Sequence, residues 1–308
     1  MKSASGIQKY LLSFLIFFGL ASPGFALEPE PHKWNHLPVG INFAGVGYAY
    51  SEADIFLDPT LLLEDVELEL HTWAGKYIRT FELFARSARI DLTQAYQEGE
   101  WTGLLNGSPA STSRRGLSDT FVRLALNLYG APPLKGKDFA VYRAENKDET
   151  IIGVALAVRL PTGNYKDDKL LNLGKNRFAF RPQLGFIHSW GRWTVEATGE
   201  VAFYTKNDDF YNGNTLEQEP LYIIHGHLIS SFNPGFWISA SYGYDYGGEI
   251  SINDVDKDDK KQDIGWVFSL AYPINRSSGI KVSYIETQSR EDTGLDSRTL
   301  TASIAFLW

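Results

Sequence analysis

The chain has 308 residues, a formal net charge of −8, no cysteine and 14% aromatic residues. The missing cysteine excludes a disulfide scaffold, a thiol enzyme and a cysteine-ligated zinc site, and the acidic balance lacks the basic surplus of a nucleic-acid-binding protein. Apolar content is too high for disorder, and a mean hydropathy of −0.21 argues against a helical membrane bundle but not against a membrane barrel, whose strands are only half apolar.

Lys2 and Lys9 flank the start of an apolar run, Tyr10 to Leu20, which is followed by small residues. A basic start, a short apolar centre and a small-residue site form the layout of a secretory signal peptide, expected here over residues 1–26 with cleavage after Ala26. A membrane anchor would need about 20 apolar residues. Loss of Lys2 and Lys9 takes the charge from −8 to −10. Residues 27–38 are proline-rich and carry His32, Trp34 and His36. They read as a periplasmic tail or a short plug, and two His alone make a weak metal site.

From residue 39 to 308 the dominant period is two, which is the period of a strand. About twelve strands are expected, near 40–52, 66–82, 87–101, 117–130, 149–160, 177–189, 192–205, 219–232, 236–248, 262–273, 279–290 and 298–308. In 66–82 the apolar phase slips between Leu70 and Phe81, where a bulge is expected. Tight turns such as Asn233-Pro234-Gly235 alternate with long polar loops such as 206–218 and 248–261. The 131–148 connection is long where a short turn should fall. It either folds on the periplasmic rim or marks an error in the strand count. Trp237, Tyr242, Tyr244 and Tyr246 suit an interfacial aromatic girdle.

This pattern predicts an all-β fold: a transmembrane, antiparallel, up-and-down barrel of the outer-membrane type with about 12 strands. The alternative is a soluble periplasmic barrel or sandwich with its apolar faces turned into a core. Phe306 and Trp308, at the end of an amphipathic strand, resemble the C-terminal signal read by the barrel-assembly machinery. The charge on the polar faces is also more than a soluble core tolerates.

With apolar residues facing lipid, the lumen should be lined by Arg89, Asp91, Arg123, Asn127, Arg159, Arg177, Arg181, Gln183, Glu196, Glu200, His225, His227, Asp245 and Lys281. Glu67, Glu69 and His71 join them if strand 66–82 keeps its first phase. One reading makes the charges structural filling, paired in ladders that narrow the bore. The other sets an Arg arc opposite a Glu arc, with a transverse field that orients solutes. Eight strands leave little space and 16–18 leave a pore, so twelve suggest a narrow, partly occluded channel.

No catalytic motif is present, and the chain is read as a non-enzyme without cofactor or metal. A membrane lipase built on His225, His227, Ser230 and Ser231 is the one enzyme idea weighed, and it is weak because residues adjacent along a strand point apart. Asp254, Asp256 and Asp258 resemble the opening of a calcium loop, but the glycine and closing Glu are missing. A solvated external loop is the better reading.

The segment from Leu160 to Gly185 resembles a motif of an outer-membrane family named after the meta pathway of phenol degradation. The matching positions are Pro161, Gly163, Tyr165, Asn172, Gly174, Asn176 and Pro182. Segment 37–59 is similar to the family's first strand and loop, and segment 76–96 resembles the family as well. The resemblance implies an outer-membrane barrel that passes small, often hydrophobic or aromatic compounds. Related barrels that secrete functional amyloid carry an N-terminal helical plug, where this chain has only residues 27–38. The expected function is passive passage of small organic solutes across the outer membrane of a Gram-negative bacterium, among lipid and lipopolysaccharide. The alternative is a barrel with a sealed lumen that acts through its external loops. The sequence does not determine the oligomeric state.

Overall fold

A computed structural model describes residues 30–56 and 63–308. The signal-peptide reading, its cleavage site and residues 27–29 lie outside the described residues. The chain runs β1 (Asn42–Phe56), β2 (Leu63–Leu83), β3 (Arg86–Leu105), β4 (Ser108–Leu117), β5 (Thr120–Tyr129), helix α1 (Gly136–Glu145), β6 (Glu149–Leu160), β7 (Ala179–Trp190), β8 (Trp193–Tyr204), β9 (Asn207–Phe210), β10 (Asn214–Gln218), β11 (Leu221–Asn233), β12 (Phe236–Gly247), β13 (Ile250–Ile252), β14 (Val255–Asp256), β15 (Lys261–Pro273), β16 (Ser278–Ser289) and β17 (Gly294–Leu307).

Twelve of these strands form a closed antiparallel ring. Each pairs with its neighbours in sequence order, and β17 returns to β1. Closure removes every sheet edge, as a lipid-facing strand requires. The other strands belong to the loops. β4 continues the wall upward along the outer half of β3, and β5 takes over along its inner half. β9, β10, β13 and β14 form a separate four-stranded sheet outside the ring.

The strand alternation has the sense expected for lipid. Leu156, Trp266, Phe268, Leu270, Tyr272, Leu300 and Phe306 are exposed on the outside, while Ala157, Ser269, Ala271, Thr301 and Ala305, next to them along the strands, are buried inside. Among the described residues no helix is long and apolar enough to cross a membrane.

Two readings of the strands need correction. The β2 strand has no bulge between Leu70 and Phe81, because its register with β1 is unbroken from Val66 to Arg79. Its irregularity falls between Glu64 and Glu67 instead. Val66, Leu68 and Leu70 point inward with Trp101 and Leu173, and Glu67, Glu69 and His71 point outward, not into the lumen. The hydropathy phase changes because the strand rises out of the bilayer: its outer face meets water there, while its inner face packs against loop residues. Trp237 is not a girdle residue. It is buried in the bore, 4.8 Å from the His32 ring, whereas Tyr242 and Tyr246 are exposed outside.

The 131–148 connection folds at the periplasmic end. Helix α1 puts Phe139 into a cluster with Leu37, Phe43, Ile78 and Ala305, which closes that mouth of the barrel. The strand order around it is unaffected, so the connection does not upset the count. The turn between β2 and β3 is tight, with Phe84 and Ala85 at φ 52° and 55°. A two-residue turn of this hand suits the strand twist but favours Asn-Gly.

Candidate functional site: an occluded bore with an outer vestibule

Inside the barrel, charge is arranged by strand neighbourhood. Arg89 and Asp91 are on β3, Arg123 on β5, Arg181 and Gln183 on β7, and Glu196 and Glu200 on β8. Asp91 Oδ2 lies 3.1 Å from Arg89 Nη2 and 3.4 Å from Arg123 Nη1. Arg123 Nε donates to Gln183 Oε1 at 2.8 Å, Gln183 donates on to Glu200, and Arg181 pairs with Glu200. Arginines and carboxylates therefore share one wall and pair along it. An Arg arc facing a Glu arc across the bore does not form, because neighbouring strands bring opposite charges within contact distance first.

Apart from Glu67, Glu69 and His71, each expected lumen residue is turned inward. Arg89, Asp91, Arg123, Asn127, Arg177, Glu196, Glu200, His225, His227, Asp245 and Lys281 are buried, and Arg159 and Arg181 are half-buried. They do not form one site. Asn127 binds Ser87 near the periplasmic end, while Arg159 and Arg177 sit near the outer mouth. His227 Nδ1 is 2.8 Å from Ser241 Oγ, not from Ser230 or Ser231. His225 packs edge-on against His227, with ring centroids 5.4 Å apart. Asp245 Oδ1 accepts from Asp263 N at 3.1 Å. Among the described residues, no group of three acidic, His or Cys side chains could hold a metal. Asp254 and Asp256 lie on the β13–β14 hairpin, with Asn253 and Asp254 in left-handed turn conformation, and Asp258 follows it.

Residues 30–38 occupy the bore; they do not hang from it as a periplasmic tail. The backbone N–H groups of His32 and Lys33 both donate to the Glu196 carboxylate, at 2.7 and 2.9 Å. Glu30 pairs with Lys76 at 2.9 Å. Trp34 is only 1% exposed, and its Nε1 donates to Thr198 Oγ1 at 2.8 Å. The Arg123 guanidinium lies 4.7 Å over the indole. His36 is held at the periplasmic rim, with Nε2 2.7 Å from the Pro132 carbonyl and Nδ1 3.0 Å from Glu149.

The indole fits because Gly153 and Gly185 face each other across β6 and β7. A Cβ on Gly185 would lie 1.8 Å from the indole, and one on Gly153 would lie 2.5 Å from it. The slot was missed at the level of sequence, although glycine inside a strand often marks the close approach of another group.

The family-like motif has a structural account. Asp119, at the junction of β4 and β5, accepts from Gly163 N and Lys175 N, both at 3.0 Å. Gly163 and Gly174 touch; a Cβ on Gly174 would lie 2.8 Å from Gly163. Asn172 bonds three backbone groups of residues 166 and 169, and Asn176 donates to Asn207 at 2.9 Å. Tyr165 OH donates to the Asp209 carbonyl at 3.0 Å. These bonds fold residues 161–178 into a compact loop that walls the outer mouth. Pro182 faces outward and cannot donate to the ladder.

A family profile described as "Putative MetA-pathway of phenol degradation" matches residues 61–298. A search of curated protein sequences returns no significant relative. Among solved structures, the chain is similar to an outer-membrane channel from Pseudomonas putida F1, with a TM-score of 0.74 at 20% identity, covering 91% of this chain and 100% of that one. Weaker likenesses are to the β domain of the Bordetella autotransporter BrkA (TM-score 0.48, 8% identity, 87% and 99% coverage) and to the translocator domain of NalP from Neisseria meningitidis (0.47, 7%, 89% and 90%). At 20% identity the first match shows the fold, an outer-membrane barrel. With the profile spanning most of its length, the chain belongs to the family of the MetA-pathway of phenol degradation.

Proposed function

We propose that this barrel is a passive channel for small organic solutes and that residues 30–38 are its plug. One observation carries the reading: a short segment of the chain lies inside the bore, held by hydrogen bonds, an ion pair and one indole. Such contacts are individually modest and exchangeable with water. The inner wall is also polar, as a solute path needs. The Pseudomonas putida relative is itself described as an outer-membrane channel, and the family's name points to aromatic degradation.

The reading places the protein among outer-membrane lipid and lipopolysaccharide after export by residues 1–26. The exposed Phe306 and Trp308 serve as the signal for the barrel-assembly machinery. Planar-bilayer conductance and liposome uptake of benzyl alcohol test the channel, using the mature chain and a variant lacking residues 27–36. The expected result is low conductance for the mature chain and a large increase for the variant. Absence of both conductance and uptake in both proteins would refute it.

A second reading is a sealed barrel that acts through its external surface. The separate sheet of β9, β10, β13 and β14 favours it. Deleting 206–218 and 248–261 should then abolish a surface phenotype without altering permeability.

A further inference from the structure

The plug does not fill the whole bore. Near the outer mouth lies a cavity of about 350 Å³, at the small end of ligand pockets, and residues 30–38 take no part in its lining. Two chemistries line it. Arg159, Lys175, Arg177, Arg181 and Lys261 supply positive charge, and Phe210, Leu216, Leu221 and Ile223 supply apolar surface. No Asp or Glu lines it among the described residues.

The cations differ in how far they are satisfied. Arg181 is paired with Glu200. Asp119 is spent on backbone N–H groups beside Lys175, and Asp245 and Asp263 stand near Lys261 without ion-pair contact. Among the described residues, no carboxylate makes an ion pair with Lys175, Arg177 or Lys261. Arg177 is the most telling. It donates through Nη2 to Gln218 and lies 4.8 Å over the Tyr204 ring, but its buried Nη1 has no acceptor among the described residues. A buried guanidinium N–H without a partner is costly, and like charges gathered around one cavity repel. A bound anion would remove both costs. Inorganic anions would leave the apolar lining unused, and neutral solutes would leave the cations unpaired.

We propose that this cavity is a binding subsite for small apolar monocarboxylates, with the carboxylate on Arg177, Lys175 and Lys261 and the hydrocarbon part against Leu216, Leu221 and Ile223. The proposal rests on the channel reading and narrows its solutes to organic anions.

Isothermal titration of the full mature barrel in nanodiscs tests it, with benzoate, benzyl alcohol and acetate as probes. Benzoate should bind, with benzyl alcohol and acetate at least tenfold weaker. Arg177→Gln and Lys261→Gln, made separately, should each weaken benzoate at least tenfold, and Leu216→Gln should reduce the benzoate-to-acetate preference. Equal binding of benzoate and benzyl alcohol, equal binding of benzoate and acetate, or unchanged benzoate affinity in a folded Arg177→Gln or Lys261→Gln barrel would each overturn it. Planar-bilayer conductance separates the two claims. Conductance without benzoate preference removes the subsite and keeps the channel. Benzoate binding without conductance, in the mature chain and in the variant lacking residues 27–36, keeps the subsite and removes the channel.

Discussion

Replacing Gly185 by Ala tests the plug without touching the plug itself. The new methyl would sit 1.8 Å from Trp34 Cε2 and 2.1 Å from its Nε1, where carbon contacts normally lie at about 3.5–4.0 Å. The indole cannot retreat freely, because the Arg123 guanidinium lies 4.7 Å over its ring and Thr198 holds its Nε1 at 2.8 Å. Two responses are open. If the indole stays, overpacking costs about 1–3 kcal/mol. If it leaves, burial of about 150–250 Å² is lost, worth about 4–6 kcal/mol at about 25 cal/mol per Å². The smaller cost governs, and so deep an overlap puts it near the top of its range, about 3 kcal/mol. At about 1.4 kcal/mol per tenfold, the closed-to-open ratio should fall about 100-fold. Single-channel recording should show openings about 100 times more frequent, and hydrogen exchange of residues 30–38 should speed up. Trp34→Ala should open the channel too, and the double variant should add little, since both act on one contact. A well-folded Gly185→Ala barrel with unchanged openings and unchanged exchange would refute the plug mechanism.

Other predictions concern the wall, the turn and the outer mouth. Leu156, 45% exposed on the outer face, should resist change to Arg by about 2–4 kcal/mol near the midplane, read as lost insertion in a folding titration, while Arg123→Leu inside should alter conductance more than assembly. Phe84→Asn with Ala85→Gly should stabilise the β2–β3 hairpin by about 1 kcal/mol, measured by urea unfolding in micelles, because both residues hold positive φ. Asp119→Ala should loosen residues 161–178, seen as faster exchange at Gly163 and Lys175, whose N–H groups it accepts. Burial, reinforced by Arg159, Lys261 and Arg177 and opposed by Asp119, holds the Lys175 ammonium down at about 8. Its charge is therefore present below pH 8 and lost above. Benzoate affinity should fall as pH rises from 7 to 9, and Lys175→Gln should flatten that fall.

The strands were legible because each carries a long period-two record. The alternation Leu300, Ala302, Ile304, Phe306 on β17 and Trp266, Phe268, Leu270 on β15 reports which side meets lipid. The reading failed where the environment changes along a strand. In β2 the outer residues turn from Trp73 and Tyr77 to Glu67 and Glu69, which looks like a slip of phase but is the membrane boundary. Trp237 misled for the opposite reason: an aromatic near a strand end also suits a plug contact. The loop strands β9, β10, β13 and β14 were not foreseen, since pieces of two to five residues carry too little alternation to register.

For this protein, local chemistry alone determined the barrel: alternation sets the faces, turn lengths set the two rims, and the motif from Pro161 to Pro182 sets the family likeness. Closure, plug and vestibule required tertiary structure. Residues 30–38 carry no periodicity, and their place in the bore depends on Glu196 and Thr198, more than 160 positions away, and on two facing glycines whose meaning exists only once β6 lies beside β7. Likewise, Lys175, Arg177 and Lys261 are ordinary loop and strand-end cations until the barrel closes and gathers them around one cavity.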